Sequence, residues 1–265
     1  MIKIKEYVKA ASLEEAYELN QKRSNRILGG MLWMRMSNAQ VQTAIDLSGL
    51  GLDQIEETEE EFIIGAMVTL RELELNERLN DCFDHVLADA VKDIVGVQFR
   101  NLATVGGSVF GRFGFSDVLT VLLSLHASVE LYKGGIVPLE EFAAMKRDND
   151  VLVNIRIAKT DGQYAYLTHR NTKTDFPVLA VAVSKIGEEL RVAVGARPAK
   201  AELLDVKDLS GEELNALNEE LAKKLSTRVK TDSNMRASAQ YRSHLSKVLI
   251  ERCFEKINTC KKEGE

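Results

Sequence analysis

The stretch NLATVGGSVFGRFGFSD, from Asn101 to Asp117, most constrains what this chain can become. It places four glycines and three phenylalanines in 17 residues, between segments with ordinary helical periodicity. Such glycines can take positive φ and let ligand atoms approach main-chain N–H groups closely. A second pair, Gly29-Gly30, interrupts the apolar run RILGGMLWMRMS about 75 residues earlier. Successive N–H groups in such turns form concavities suited to phosphate oxygens. Neither pair fits the GxGxxG or Walker A spacing, so Rossmann and P-loop folds are excluded. Two cradles in one chain suit a dinucleotide. Thr104, Ser108 and Ser116 offer hydroxyls, and Trp33 with the phenylalanines offers walls for a flat ring. Asp117 suits a ribose or ribityl hydroxyl as acceptor and serves equally as an N-cap.

Charge and cysteine usage narrow the class. With 35 Lys+Arg against 40 Asp+Glu the net charge is −5. An acidic chain with no basic stripe is a poor binder of nucleic acid or anionic membrane. No apolar run of about 18 residues is present, and the start lacks a signal-peptide pattern. These features predict a soluble, cytoplasmic protein without membrane insertion. Cys82, Cys253 and Cys260 are odd in number and dispersed, against a disulfide framework and against a self-contained iron–sulfur or zinc site. Cys253 and Cys260, seven apart, read as buried on one helix face. The four histidines show no HxH or HExxH spacing, and no metal ligand set is assigned.

The coarse order of elements is α+β. IKIKEYVKAA reads as a strand, and SLEEAYELNQ as a helix capped by Ser12 with Glu15. VQTAIDLSGL and EEFIIGAMVTLRELE read as a strand and a strand-to-helix passage. Asn80 to Gly96 has helical periodicity, and DVLTVLLSLHA predicts a buried helix. From about residue 127 the period turns to two: SVELYK, VLVNIRIA, QYAYLTHR, VLAVAVSKIG and ELRVAVGAR predict strands, with a hairpin at Gly187. One helix opens at LSGEEL, with Ser210 and Glu213 as its capping box and Leu214, Leu217, Leu221 and Leu225 as its stripe. A last helix spans about Ala237 to Lys261, with Tyr241, Leu245, Val248, Leu249 and Cys253 inward.

The segment QFRNLATVGGSVFGRFGFSDVLTVLLSLHASVEL closely resembles the second flavin-binding segment of the FAD (medium) subunits of molybdenum hydroxylases, the xanthine, carbon monoxide and nicotinate dehydrogenase-like enzymes. Gln98, Arg100, Asn101, Ala103, Thr104, Gly106, Gly107, Ser116 and Asp117 fall ungapped on that family's pattern. SLEEAYELNQ with RILGGMLWMRM is similar to the family's opening helix and phosphate loop. IGAMVTLRELE and MRASAQYRSHLSKVLIERC resemble two further segments. The resemblance implies a two-part FAD-binding region of the vanillyl-alcohol oxidase type over 1–160, with parts of about 1–55 and 56–160. A small C-terminal α+β domain, an antiparallel sheet with helices, would follow over 161–265. It implies FAD held by Ile27, Leu28, Gly29, Gly30, Met31, Leu32, Trp33, Ile94, Ala103, Thr104, Gly106, Gly107, Ser108, Gly111, Ser116, Asp117 and Leu152. It further implies a [2Fe–2S] small subunit, a molybdopterin-binding large subunit, and NAD(P)+ or another acceptor. No catalytic side chain is implied, because the flavin carries the redox chemistry.

Departures from the family sharpen the expectation. Met31-Leu32 replaces a polar Thr-Asp pair, Ser108 replaces Asn, and GRFGF replaces small residues and proline. Arg112 within it reads as a solvated loop arginine, with a phosphate or a partner as alternatives. A lysine expected beside the flavin falls on Leu167, while Asp175 aligns. The alternative reading is a fold-retaining assembly subunit with weak or no flavin binding. A freestanding flavin oxidase is disfavoured, since no substrate domain is visible.

Overall fold

The computed structural model describes residues 1–263, with side chains described through residue 259, so the burial expected of Cys260 lies outside the described residues. In chain order the first elements are β1 (Lys3–Lys9), α1 (Leu13–Asn20), β2 (Arg26–Leu28), β3 (Gln40–Asp46), β4 (Ile55–Glu57) and β5 (Glu61–Gly65). Short helices follow: α2 (Leu70–Leu75), α3 (Glu77–Cys82), α4 (Val86–Val91), α5 (Val97–Arg100), α6 (Val105–Phe110) and α7 (Asp117–Ser124). Next come β6 (Ala127–Leu131), β7 (Gly135–Pro138), α8 (Leu139–Ala144), β8 (Leu152–Ala158) and β9 (Gly162–Arg170). The chain continues through β10 (Pro177–Ile186), β11 (Glu189–Gly195), β12 (Glu202–Leu203), α9 (Gly211–Ala216), α10 (Glu219–Ser226) and α11 (Ala239–Glu263). No helix among the described residues is long and apolar enough to cross a membrane.

The chain divides into two compact units. The first comprises Met1–Leu73, Val97–Gly111 and Ala127–Ala158. Its parallel three-stranded sheet has the order β1-β3-β2, and its antiparallel five-stranded sheet the order β4-β5-β8-β6-β7. Lysines on the exposed edge strand β1 discourage pairing with another chain. Ser12 caps α1 by accepting from Glu15 N–H at 3.1 Å, while the Glu15 carboxylate reaches back to Ala11 N–H at 2.7 Å.

The second unit comprises Glu74–Gly96, Arg112–His126 and Lys159–Glu265. Its antiparallel sheet has the order β12-β11-β10-β9, with the β10–β11 turn at Gly187, where φ is +54°. Nine of the ten residues of β10 are buried, because α7 packs on this sheet as well as α11. All eight residues of α7 are buried, as its apolar sequence predicts. Both units are discontinuous in sequence: α3, α4 and α7 group with the C-terminal sheet, which α4 and α7 contact.

Three helix expectations need correction. Asn80 to Gly96 is not one helix: Asp84 and His85 are both left-handed, with φ of +49° and +59°, and they end α3 before α4 begins. Buried Asn80 holds this corner, donating to Asn76 O at 2.8 Å and accepting from Ala88 N–H at 2.9 Å. The LSGEEL helix breaks at Leu217, where φ is +36°, and Asn218 caps a new helix through Leu221 N–H at 2.9 Å. The leucine stripe survives because Leu217, Leu221 and Leu225 still reach one core. In α11, Tyr241 is exposed and its neighbour Arg242 is fully buried.

Candidate functional site

Within the first unit, Gly29 of the first pair and both glycines of the second line one cleft of about 540 Å³. β2 feeds Ile27 and Leu28 into the turn at Gly29-Gly30, and Thr104 opens α6 across from it. Ile27, Leu28, Gly29, Thr104, Gly106, Gly107, Gly111 and Leu152 line the cleft together.

The glycines serve close approach here, not positive φ. A Cβ on Gly30 would stand 1.8 Å from Leu102 O, and one on Gly106 would stand 2.6 Å from Ala66 O. A Cβ on Gly29 would come within 2.9 Å of Thr104 Oγ1 and 3.8 Å of Gly107 Cα. The left-handed residue is Met31, with φ of +59°. Gly106 and Gly107 lie inside α6, and their amides are used internally. Gly106 N–H donates to Ala66 O at 2.9 Å, and Gly107 N–H donates to Thr104 Oγ1 at 3.2 Å.

The first loop differs. Among the described residues, the N–H groups of Gly29, Gly30, Met31 and Leu32 have no hydrogen-bond acceptor. Gly29 lines the cleft and opens this run of four donors, and consecutive amides of this kind can receive an anion. The donor set fits the diphosphate of FAD, as acceptors without hydrogens are what such amides lack. Met31 and Leu32 contribute no polar side chain, so the loop acts through backbone alone.

Other residues named for the cofactor are placed as follows. Ala103 and Ser108 flank the start of α6, where Ser108 Oγ donates to Thr104 O at 3.0 Å. Trp33 is half exposed after the loop. Phe110 lines the cleft and packs on Phe142, with ring centres 6.1 Å apart. Ile94, Ser116 and Asp117 belong to the second unit.

There Ser116, not Asp117, caps α7, accepting from Leu119 N–H at 3.1 Å. Asp117 is buried, and its Oδ1 accepts from Arg170 Nη2 at 2.7 Å and from the Tyr166 hydroxyl. An open acceptor for sugar hydroxyls was expected; this oxygen already has two donors. Burial pushes the Asp117 carboxyl upward, with Arg170 and Tyr166 pulling against it. Burial also drives the Tyr166 phenol well up, keeping it a neutral donor. Arg112 is buried with φ of +47° and is not a solvated loop side chain. Phe113 stacks on Phe115 at 5.2 Å. Leu167 packs against the core beneath α11, so this position presents an apolar group where a lysine was expected.

Sequence reasoning missed a basic rim. Lys22, Arg23, Arg26 and Arg147 all line the cleft, beside Asn20, Asn25 and Asn149. The adjacency of Arg26 to the glycine loop was the one available signal; Arg147 is distant in sequence and gave none.

Comparison with known proteins bears on the family and the fold. Residues 2–159 match the model of the FAD binding domain in molybdopterin dehydrogenase, and residues 164–257 that of the CO dehydrogenase flavoprotein C-terminal domain. The chain is similar to the glyceraldehyde dehydrogenase medium chain of Sulfolobus acidocaldarius, 24% identical over 95% of this chain and 97% of that one. It is also similar to the nicotine 6-hydroxylase medium subunit of Paenarthrobacter nicotinovorans, 28% identical over 93% and 94%. In fold it resembles a chain of the reconstituted CO dehydrogenase from Oligotropha carboxidovorans, with a TM-score of 0.83, 22% identity and 98% of each chain covered.

Proposed function

The chain belongs to the FAD-binding family of molybdopterin dehydrogenases, and from that premise we propose that it is the electron-transfer subunit of a multi-subunit molybdenum hydroxylase. Its cofactor is FAD, and it is a flavoprotein component of an oxidoreductase. Its partners are a [2Fe–2S] small subunit and a molybdopterin-binding large subunit, in keeping with the medium-chain names of its relatives. A cytoplasmic location is part of the same proposal. Bound FAD supplies reversible redox chemistry between the [2Fe–2S] partner and NAD(P)+ or another acceptor.

The chain's own residues bind, orient and shield. The amides of Gly29 through Leu32 receive the diphosphate, with Ile27 and Leu28 leading the chain into that turn. Thr104 fixes the first turn of α6 so that Gly106 and Gly107 leave the opposite wall bare. Leu152 gives the cleft an apolar face, and Gly111 closes α6 at its rim. No side chain donates or accepts a proton in this scheme.

The single observation supporting the reading most is the run of four acceptor-less amides that begins at Gly29, on the wall of the cleft. The test is co-expression with a cysteine-rich small chain and a large chain encoded beside it. Co-purification of all three, with FAD present, is expected. Elution of this chain alone and colourless from cells that contain both partners contradicts the proposal.

A further inference from the structure

The loop from Gly29 to Leu32 brings no charged side chain to a diphosphate. Backbone amides supply dipoles, whereas a diphosphate brings about two negative charges. At the cleft, the side chains of Lys22, Arg23, Arg26 and Arg147 supply four positive charges. Two carboxylates, Asp148 and Asp150, also line it, but Asp150 is engaged within the protein. It accepts from Gly134 N–H at 2.8 Å, from Val151 N–H at 2.7 Å and from Lys133 N–H at 3.2 Å. The rim therefore carries an excess of positive charge in a chain whose net charge is −5.

The rim is built, not incidental. Arg147 donates through Nη2 to the carbonyl of Gly111, which holds its guanidinium at the far end of α6. Arg26 donates through Nη1 to Asn25 O at 2.6 Å and to Arg23 O. The end of α1 is pinned to the Arg147 segment: Asn20 Nδ2 donates to Asn149 O at 2.8 Å and Gln21 Nε2 donates to the same oxygen at 3.0 Å. Two sequence segments far apart are thus joined so that cations of both face one cleft.

We infer that this basic rim neutralises the diphosphate, so that FAD binding by this chain is charge-driven. The inference rests on the proposed reading that the cleft holds FAD. Arg147 and Arg26 are the main contributors because their guanidinium groups are already positioned, and fixed donors lose less freedom when they bind an anion. All four residues are exposed, so salt screens their charge.

The test measures the FAD dissociation constant of the full chain by quenching of flavin fluorescence, with ADP as a flavin-free competitor. Raising NaCl from about 50 mM to about 500 mM is expected to weaken FAD and ADP alike by about tenfold. Arg147→Gln and Arg26→Gln are each expected to weaken FAD about three- to tenfold, while Arg147→Lys retains most of the affinity. Lys22→Gln disturbs no internal hydrogen bond and is expected to flatten the salt dependence without altering the circular dichroism spectrum. FAD bound with one affinity at all salt concentrations and in all the glutamine variants overturns the inference and leaves the FAD reading standing. A chain that binds no FAD at any salt concentration overturns both.

Discussion

The carboxylate of Asp117, at the start of α7, accepts from the guanidinium of Arg170, at the end of β9, at 2.7 Å, with both side chains buried. Removing either member leaves the other charge uncompensated, which costs about 3–5 kcal/mol, whereas removing both together costs less than the sum. Asp117→Ala and Arg170→Ala are therefore expected to be strongly destabilising alone and coupled by more than about 1 kcal/mol in urea unfolding. Additive losses would show that the pair does not act as a unit. Tyr166→Phe, which removes the second donor to the same oxygen, is expected to cost about 1.5–3 kcal/mol.

The glycine loops give a graded prediction. Gly30→Ala places a methyl 1.8 Å from the fixed carbonyl of Leu102, so the loop must move and FAD binding is expected to be lost. Gly107→Ala meets only the Thr104 hydroxyl at 3.1 Å, and a cost of about 1 kcal/mol with FAD binding retained is expected. Flavin titration of the two variants, with thermal melting as the fold control, checks the order.

Arg242 is fully buried and hydrogen-bonded to carbonyl oxygens, with no carboxylate among those partners. It donates to Val178 O at 2.8 Å, Asp232 O at 2.8 Å, Ala237 O at 2.6 Å and Asn234 Oδ1 at 2.7 Å. Burial lowers its pKa, yet a guanidinium stays charged. Lysine cannot reproduce this fork. Arg242→Lys is expected to lose about 2–4 kcal/mol, read as a fall in Tm, nearly as much as Arg242→Met. Full rescue by lysine would contradict the role given to the guanidinium geometry.

Glu213 completes the cap of α9 and pairs with Lys224 at 2.7 Å, and these partners hold its pKa near about 2, below its ordinary value of 4.5. The folded state thus favours the ionised form. That contribution is whole above pH 4.5 and is lost as the pH falls toward about 2. Between those limits the Tm of the wild-type chain is expected to fall more steeply than that of Glu213→Gln. Parallel curves would remove Glu213 from the acid response.

Local chemistry was legible in the sequence and distant chemistry was not. The caps at Ser12 and Ser210, the buried α7 and the Gly187 hairpin rest on neighbours within a few residues, and they formed as read. The same local reading could not anticipate that Asp84, His85 and Leu217 adopt left-handed conformations, because aspartate and histidine tolerate that region without requiring it, leucine disfavours it, and tertiary packing decides. It offered positive φ or close approach of a ligand for Gly29-Gly30, while the structure also needs bare Cα atoms against Leu102 and Thr104, which lie far off in sequence. Asp117 was read through its immediate neighbours; its donors Tyr166 and Arg170 come from β9. The basic rim was hidden for the same reason, since Arg147 reaches the cleft only once α1 and the β8 approach are joined.

The most direct measurement is the identity and stoichiometry of the chromophore released from the purified full chain after incubation with FAD and gel filtration. One FAD per chain is the result this account predicts, with a flavin absorption band that persists through the column. A colourless chain that takes up no FAD, alone and in its complex, would contradict it.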